Sequence, residues 1–376
     1  MVLQLPPETK PQYPWYCPRF WHGMPSTVWW PLLMEHRFAV SWGRLHHLLG
    51  VTLATPFSDT MALLQQLFHR RRIQEAAIEQ PLVFIIGHWR SGTTLLHELM
   101  VLDDRFAYPN TYQCFAPWHF LLTEGAMKRF GNGLIPSSRP MDNMSSGWNL
   151  PQEDEFALLN LGLPSFYRRL AFPRSTGQRI EALDIESLPE PHRQNWIDGF
   201  RWFLQALSYH HQKPLVLKSP THTARVRLLM QLFPEARFVH ICRHPEKLFP
   251  STVRLWRVLE QVQALQPPSQ KESIEQLVLD CLPILYQNFD RDRALLSDHR
   301  WMEVKYERLV ERPVETLRGV YQQLELGWSD RMEERVNRYM ADKSDYSANV
   351  FHQDPANQNR VQSAWREYGV RHGYYT

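Results

Sequence analysis

PLVFIIGHWRSGTTLLHEL, residues 81–99, decides how this chain is built. Leu82–Ile86 is an unbroken apolar run of strand length, the composition of a strand covered on both faces. Leu95, Leu99 and Leu102 follow at i, i+4 and i+7, the spacing of a helix. Between them lies a loop bracketed by Gly87 and Gly92, with four residues between, in the outline of a phosphate cradle. Amides at the start of a helix and the helix dipole both favour an anion. Gly92 lets the backbone approach closely, the Thr93 and Thr94 hydroxyls can donate, and Arg90 brings a planar, always-charged fork. The lysine that a nucleoside-triphosphate loop carries after its second glycine is missing, and Thr93 stands there.

Further strand-and-helix units follow. PLVLKSP (214–220) reads as a short strand, with Val226, Met230 and Phe233 at helical spacing and Pro234 as the stop. RFVHIC (237–242) is a third strand, followed at once by RHPEKLFPSTVRLW (243–256). MEVKY (302–306) is a fourth, leading to Val314, Leu317, Tyr321 and Leu324 on one helical face, with Pro313 in that helix's first turn. Strands alternating with helices predict an α/β fold, a parallel sheet flanked by helices, with ligands at the carboxyl ends of strands. Residues 264–272 and 343–363 read as loops.

Residues 1–80 lack that alternation and hold Trp15, Trp21, Trp29, Trp30 and Trp42, so the chain divides into an N-terminal helical, Trp-rich extension (1–80) and one domain (81–376). Residues 61–78 have helical spacing ahead of and around HRRR, whereas STVWWPLLM (26–34) is interrupted by Pro31. Two readings of the extension stand: it packs on the main domain with its arginines solvated, or its aromatic and basic residues contact a lipid surface or a greasy acceptor.

Lys plus Arg number 42 against 39 Asp plus Glu, a net charge of +3, so no general field favours nucleic acid and any anion specificity is local. Cys17, Cys114, Cys242 and Cys281 include no CxxC pair, which argues against a zinc site or a disulfide framework and for a reducing cytoplasm. Glu8 and Lys10 sit among prolines with no apolar signal-peptide core. No stretch reaches the ~18–20 apolar residues of a spanning helix, which leaves peripheral membrane contact as the only kind available.

The predicted strands end in cations, Lys218 and Arg243, with no acid placed to hold Mg²⁺, which suits an anion bound without a metal. Ser251 follows Arg243 by eight residues, so a returning loop would close a guanidinium and a hydroxyl on one phosphate. GHWRSGTTLL, KSPTH, FPEARFVHICRHPEKLFPS and VKYERLVERP, in that order across residues 81–313, resemble the motifs of the sulfotransferases that use PAPS, 3′-phosphoadenosine-5′-phosphosulfate. The resemblance implies a P-loop-NTPase-like sulfotransferase fold and no catalytic metal. It also implies that Arg90, Ser91, Gly92, Thr93 and Thr94 hold the 5′-phosphosulfate and that Arg243 and Ser251 hold the 3′-phosphate.

Sulfuryl transfer to a hydroxyl builds charge on the leaving phosphate, and Arg90 and Lys218 are the candidates to stabilise it. The acceptor, a small molecule of hydrophobic, lipid-like or carbohydrate character, also needs a base. Several members of the family place a carboxylate shortly after the first helix, but YPNTYQCF (108–115) has none. His222 is the first candidate, since an imidazole titrates near neutrality. Glu153 is the second, from PQEDEF (151–156), where crowding with Asp154 and Glu155 would raise one another's pKa. A P-loop kinase-like phosphotransferase and a non-catalytic nucleotide-binding protein on the same scaffold are the competing functions.

Overall fold

The computed structural model describes residues 13–136, 138, 144–174, 180–343 and 355–376. The four apolar runs form strands β1 (Val83–Ile86), β2 (Val216–Lys218), β3 (Arg237–Cys242) and β4 (Trp301–Lys305). All pair in parallel, in the order β2-β1-β3-β4. Phe84, Ile86, Leu217 and Phe238 point into one core; Val83, Ile85, Val216 and Val239 point into the other. That two-sided burial is why β1 reads as a continuous apolar run instead of an alternating one. The chain leaves β1 for β2 on one side and comes back to β3 on the other. This reversal opens a crevice over the carboxyl end of β1, where open α/β sheets hold their ligands.

Helices flank the sheet as expected. Tyr306 opens the helix after β4 instead of closing the strand, and Pro313 starts the next helix, Pro313–Gln323. The loop expected around 264–272 joins helices Pro245–Gln263 and Lys271–Arg293.

The expectation that Pro31 interrupts a helix fails, and a second proline also lies inside one. Helix α1 (Ser26–Glu35) runs through Pro31, and helix α2 (Leu45–Glu75), which starts 16 residues before the spacing at 61–78 implied, runs through Pro56. A proline leaves the carbonyl four residues earlier without an amide partner. In α2 the Thr55 hydroxyl donates to that carbonyl, on Thr52, at 2.9 Å, so the helix continues. Both helices also gain from burial: Trp29, Leu32, Leu33, Val51 and Ile73 belong to the same core as Phe84. The segment read as a loop at 343–363 ends in a helix, Pro355–Ala364, anchored by Val361 with Trp365 just beyond it, both buried. Its stretch 344–354, like Glu8 and Lys10, lies outside the described residues. The described cysteines are all free and buried. Among the described residues no helix is long and apolar enough to cross a membrane.

Candidate active site

The loop between β1 and helix α3 (Thr93–Met100) is shaped by close backbone approach. A Cβ on Gly87 would fall 2.4 Å from the Ile241 carbonyl oxygen of the neighbouring strand, and one on Gly92 would fall 2.4 Å from the Tyr306 ring. Both glycines also have positive φ, +143° and +106°. Arg90 adopts φ 68°, a left-handed conformation that costs an L-residue roughly 1–2 kcal/mol. Two contacts hold it there: Arg90 Nε donates to Ser251 Oγ at 2.9 Å, and Arg243 Nη1 donates to the Arg90 carbonyl at 3.1 Å. The Arg243 guanidinium lies 4.1 Å from the centre of the Tyr306 ring. Tyr368 fixes the same arginine's backbone, accepting from its amide and donating to its carbonyl, each at 3.1 Å. The Ser91 hydroxyl is buried beneath the loop without a protein partner.

The three acids of PQEDEF meet three bases from the end of β2 and the segment after it, in matching order. Glu153 pairs with Lys218 at 2.7 Å, Asp154 with His222 at 2.5 Å, and Glu155 with Arg225 at 2.7 Å. The side chains of Asp154, Glu155, His222 and Arg225 are wholly buried. Burial alone would raise the Asp154 carboxyl, but the charge and hydrogen bond of His222 outweigh it and hold that pKa below its usual value. Crowding therefore does not raise Asp154, contrary to expectation, because each acid faces its own base. Glu155 also accepts from Ser165 and Thr221, both at 2.7 Å, which leaves it a packing role.

Glu153 differs from its neighbours. Its carboxylate accepts from Lys218 and, at 2.5 Å, from the Tyr167 hydroxyl, and it reaches the wall of a cavity of about 490 Å³. Burial and the adjacent carboxylate push the Tyr167 phenol well above its ordinary range, so Tyr167 stays a donor. It accepts in turn from Trp89 Nε1 at 2.7 Å. One part of the cavity wall carries Arg90, Gly92, Thr93, Thr94, Arg243 and Ser251. The rest is largely apolar, with Phe20, Phe115, Trp148, Phe156, Leu255 and Leu259. Phe20 of the N-terminal segment packs on Phe156, with ring centres 4.4 Å apart.

The structure thus gathers six of the expected binding residues and Glu153 around one cavity. Ser91 lies beneath the loop, and Lys218, nearly buried, lies behind Glu153. His222 is separate: its Nε2 faces Asp154, its ring meets Phe84 and Phe200, and it does not line the cavity. Tyr167, Tyr306 and Tyr368 were not anticipated. Tyr306 alone had a sequence signal, since it directly follows a buried strand. Among the described residues, His240, Glu303 and His372 bring ligand atoms within 4.8 Å of one another, as a metal ion would require. These residues lie away from the cavity wall, with Nδ1 of each ring 3.2 Å from the Glu303 carboxylate.

A family model described as the sulfotransferase family matches residues 81–330. The omega-hydroxy-beta-dihydromenaquinone-9 sulfotransferases Stf3 of Mycobacterium bovis and Mycobacterium tuberculosis are each 37% identical to this chain over 360 residues. That match covers 96% of this chain and 92% of theirs. Among solved structures, sulfotransferase STF9 from Mycobacterium avium superposes with a TM-score of 0.64 at 17% identity, covering 93% of this chain and 96% of that one. Sulfotransferase STF1 from Mycobacterium tuberculosis gives a TM-score of 0.60 at 20% identity, over 89% and 90% of the two chains. Both share the fold.

Proposed function

Since the chain belongs to the sulfotransferase family, we propose that it moves the sulfuryl group of PAPS to the terminal hydroxyl of a lipid-like acceptor, an ω-hydroxylated isoprenoid quinone or a close analogue. One observation carries this reading: a single cavity combines an anion-binding wall with an aromatic wall, and Glu153 lies on its surface. The donor set suits PAPS. The Thr93 and Thr94 amides and Arg90 offer hydrogen bonds to a phosphosulfate, while Arg243 and Ser251 offer a charged fork and a hydroxyl to a 3′-phosphate; Ser91, buried off the cavity wall, is not among these donors. The acceptor class rests on the aromatic wall together with the substrate named for the Stf3 relatives.

In this reading Glu153 is the base in place of His222, whose ring is sealed in the core against Asp154. Glu153 takes the acceptor proton as the hydroxyl oxygen bonds to sulfur and the bond from sulfur to the 5′-phosphate oxygen breaks, releasing 3′-phosphoadenosine-5′-phosphate (PAP). Protonating Glu153 removes the counter-charge of Lys218 as negative charge builds on the leaving phosphate. Lys218 and Arg90 then meet a charge that the ground state lacks, the differential interaction catalysis requires. The Trp89–Tyr167–Glu153 chain holds the carboxylate in place. Free cysteines suit a reducing compartment, and we place the enzyme in the cytoplasm.

The test is transfer of labelled sulfate from PAPS to an ω-hydroxylated isoprenoid quinone, run beside ATP with Mg²⁺. Label on the quinone supports the reading. Phosphate transfer from ATP would restore the kinase-like alternative. PAPS binding without transfer to any hydroxyl acceptor would leave a nucleotide-binding protein.

A further inference from the structure

Helix α2 buries one side and exposes an apolar stripe on the other. Val51, Thr55, Ser58, Ala62 and Gln65 are buried against the rest of the protein. At 100° per residue, Leu49, Leu53, Phe57, Leu63 and Leu67 fall on the opposite side, with Phe68 at its edge. All six are exposed; Leu53 keeps 79% of its surface and Leu67 72%. The stripe runs for about 28 Å at 1.5 Å per residue. Helix α1 lies alongside, tied by Trp29 Nε1 to Thr52 and by the Ser26 amide to Asp59, and it exposes Trp30 and Met34. Phe38 and Trp42, between the two helices, are exposed as well, Trp42 to 89%. Folding gains nothing from this arrangement, because surface of this kind costs free energy while it stays in water.

Charge identifies what covers it. Arg70, Arg71 and Arg72, all exposed, close the stripe at its carboxyl end. The only acids in α2 are Asp59, bound to the Ser26 amide, and Glu75, paired with Arg71. The face therefore offers inserted leucines and phenylalanines, a tryptophan at one end and guanidinium groups at the other. These are the anchors that seat a helix in the plane of an anionic bilayer surface.

We infer that α2 docks the protein on the surface of a membrane carrying anionic phospholipids, with the Leu49–Phe68 stripe inserted at the level of the headgroups. The site gains from this directly. The start of α2 packs on the short helix Phe20–Gly23, through Arg19 Nε to His47 Nε2 at 3.3 Å, and Phe20 of that helix is part of the cavity's apolar wall. Docking therefore brings that wall to the phase in which a long isoprenoid acceptor is dissolved. This deepens the acceptor reading above, yet it stands on the surface alone.

The test is flotation of the full chain with vesicles of phosphatidylglycerol and phosphatidylethanolamine, and with vesicles of phosphatidylcholine alone. The parent should float with the first, bind the second more weakly, and be released from the first by salt. Leu53→Glu and Leu67→Glu should each lower partition by about tenfold or more, from lost apolar burial. Arg70→Gln with Arg72→Gln should cost on the order of fivefold per arginine on the anionic vesicles only. Circular dichroism and parent-like PAP binding show that the variants are folded. A parent that stays in the bottom fraction overturns the inference, and so do leucine variants that float as well as the parent. So would sedimentation velocity showing a parent dimer that Leu53→Glu makes monomeric, because the stripe would then belong to a second copy. Flotation needs no turnover, so an acceptor that proves inactive leaves the result intact.

Discussion

Replacing Glu153 with glutamine separates base catalysis from every other role of this residue. The substitution keeps length and one oxygen acceptor but removes the proton acceptor and the charge. Turnover should fall roughly 10²–10⁴-fold, about 3–5 kcal/mol of activation free energy, the usual contribution of a positioned base. The fold should survive. The wild-type carboxylate accepts from two donors, Lys218 Nζ and the Tyr167 hydroxyl, and the amide oxygen can still serve one of them. The other donor then faces an NH₂ group, which costs about 1–3 kcal/mol and lowers the melting temperature without unfolding the protein. Binding of PAP, which carries no transferable group, should change only a few-fold. Single-turnover transfer of labelled sulfate at saturating PAPS, with calorimetric PAP titration on the same preparation, measures both quantities. His222→Asn is the paired control. It leaves buried Asp154 short of its imidazole partner and should cost about 2–4 kcal/mol of stability, yet the folded enzyme should turn over near the parent rate. Near-parent turnover in Glu153→Gln, together with a dead but folded His222→Asn, would refute the reasoning.

Arg243→Ala should weaken PAP binding by roughly 10–150-fold and Ser251→Ala by about tenfold, while affinity for adenosine 5′-phosphosulfate, which lacks the 3′-phosphate, changes little. Equal losses for both nucleotides would mean that the pair acts by holding Arg90, which both contact, instead of by binding the 3′-phosphate. Acid sensitivity should reside partly in Glu124. Burial alone would raise its carboxyl, but hydrogen bonds from His210, Asn110 and Lys128 outweigh that and hold it at about 2, below the ordinary 4.5. A carboxyl depressed by folding adds stability above pH 4.5 and loses it as pH falls toward 2. The parent should therefore lose up to about 3 kcal/mol across that window, and Glu124→Gln, less stable at neutral pH, should show a shallower acid limb in chemical denaturation.

The sheet and the glycine loop were legible because their signals are local. A strand covered on both faces needs a continuous apolar run, and Gly87 and Gly92 answer steric demands set within a few ångströms. The N-terminal helices were less legible, since Pro31 and Pro56 argue against a helix until a side chain such as Thr55 is seen to serve the orphaned carbonyl. The acids at 153–155 show the limit most clearly. Three adjacent carboxylates look alike in sequence, and what separates them is the direction each takes as the chain enters the helix Glu155–Asn160. Of the three only Glu153 also reaches the cavity, whereas its neighbours face bases that the chain supplies 68 and 70 residues later. His222 shows the same limit: its place just after a strand is legible, but the buried Asp154 against its ring is not.

Tyr368 clamps the backbone of Arg243 from 125 residues further along the chain. During synthesis, then, the phosphate loop and its arginine leave the ribosome long before the residue that fixes them. Nascent chains stalled before position 368 would carry every side chain proposed to contact nucleotide and should still hold nucleotide poorly. Retention on an immobilised PAP resin should thus report how far the polypeptide has been made and folded, separating chains that include Tyr368 from those terminated before it.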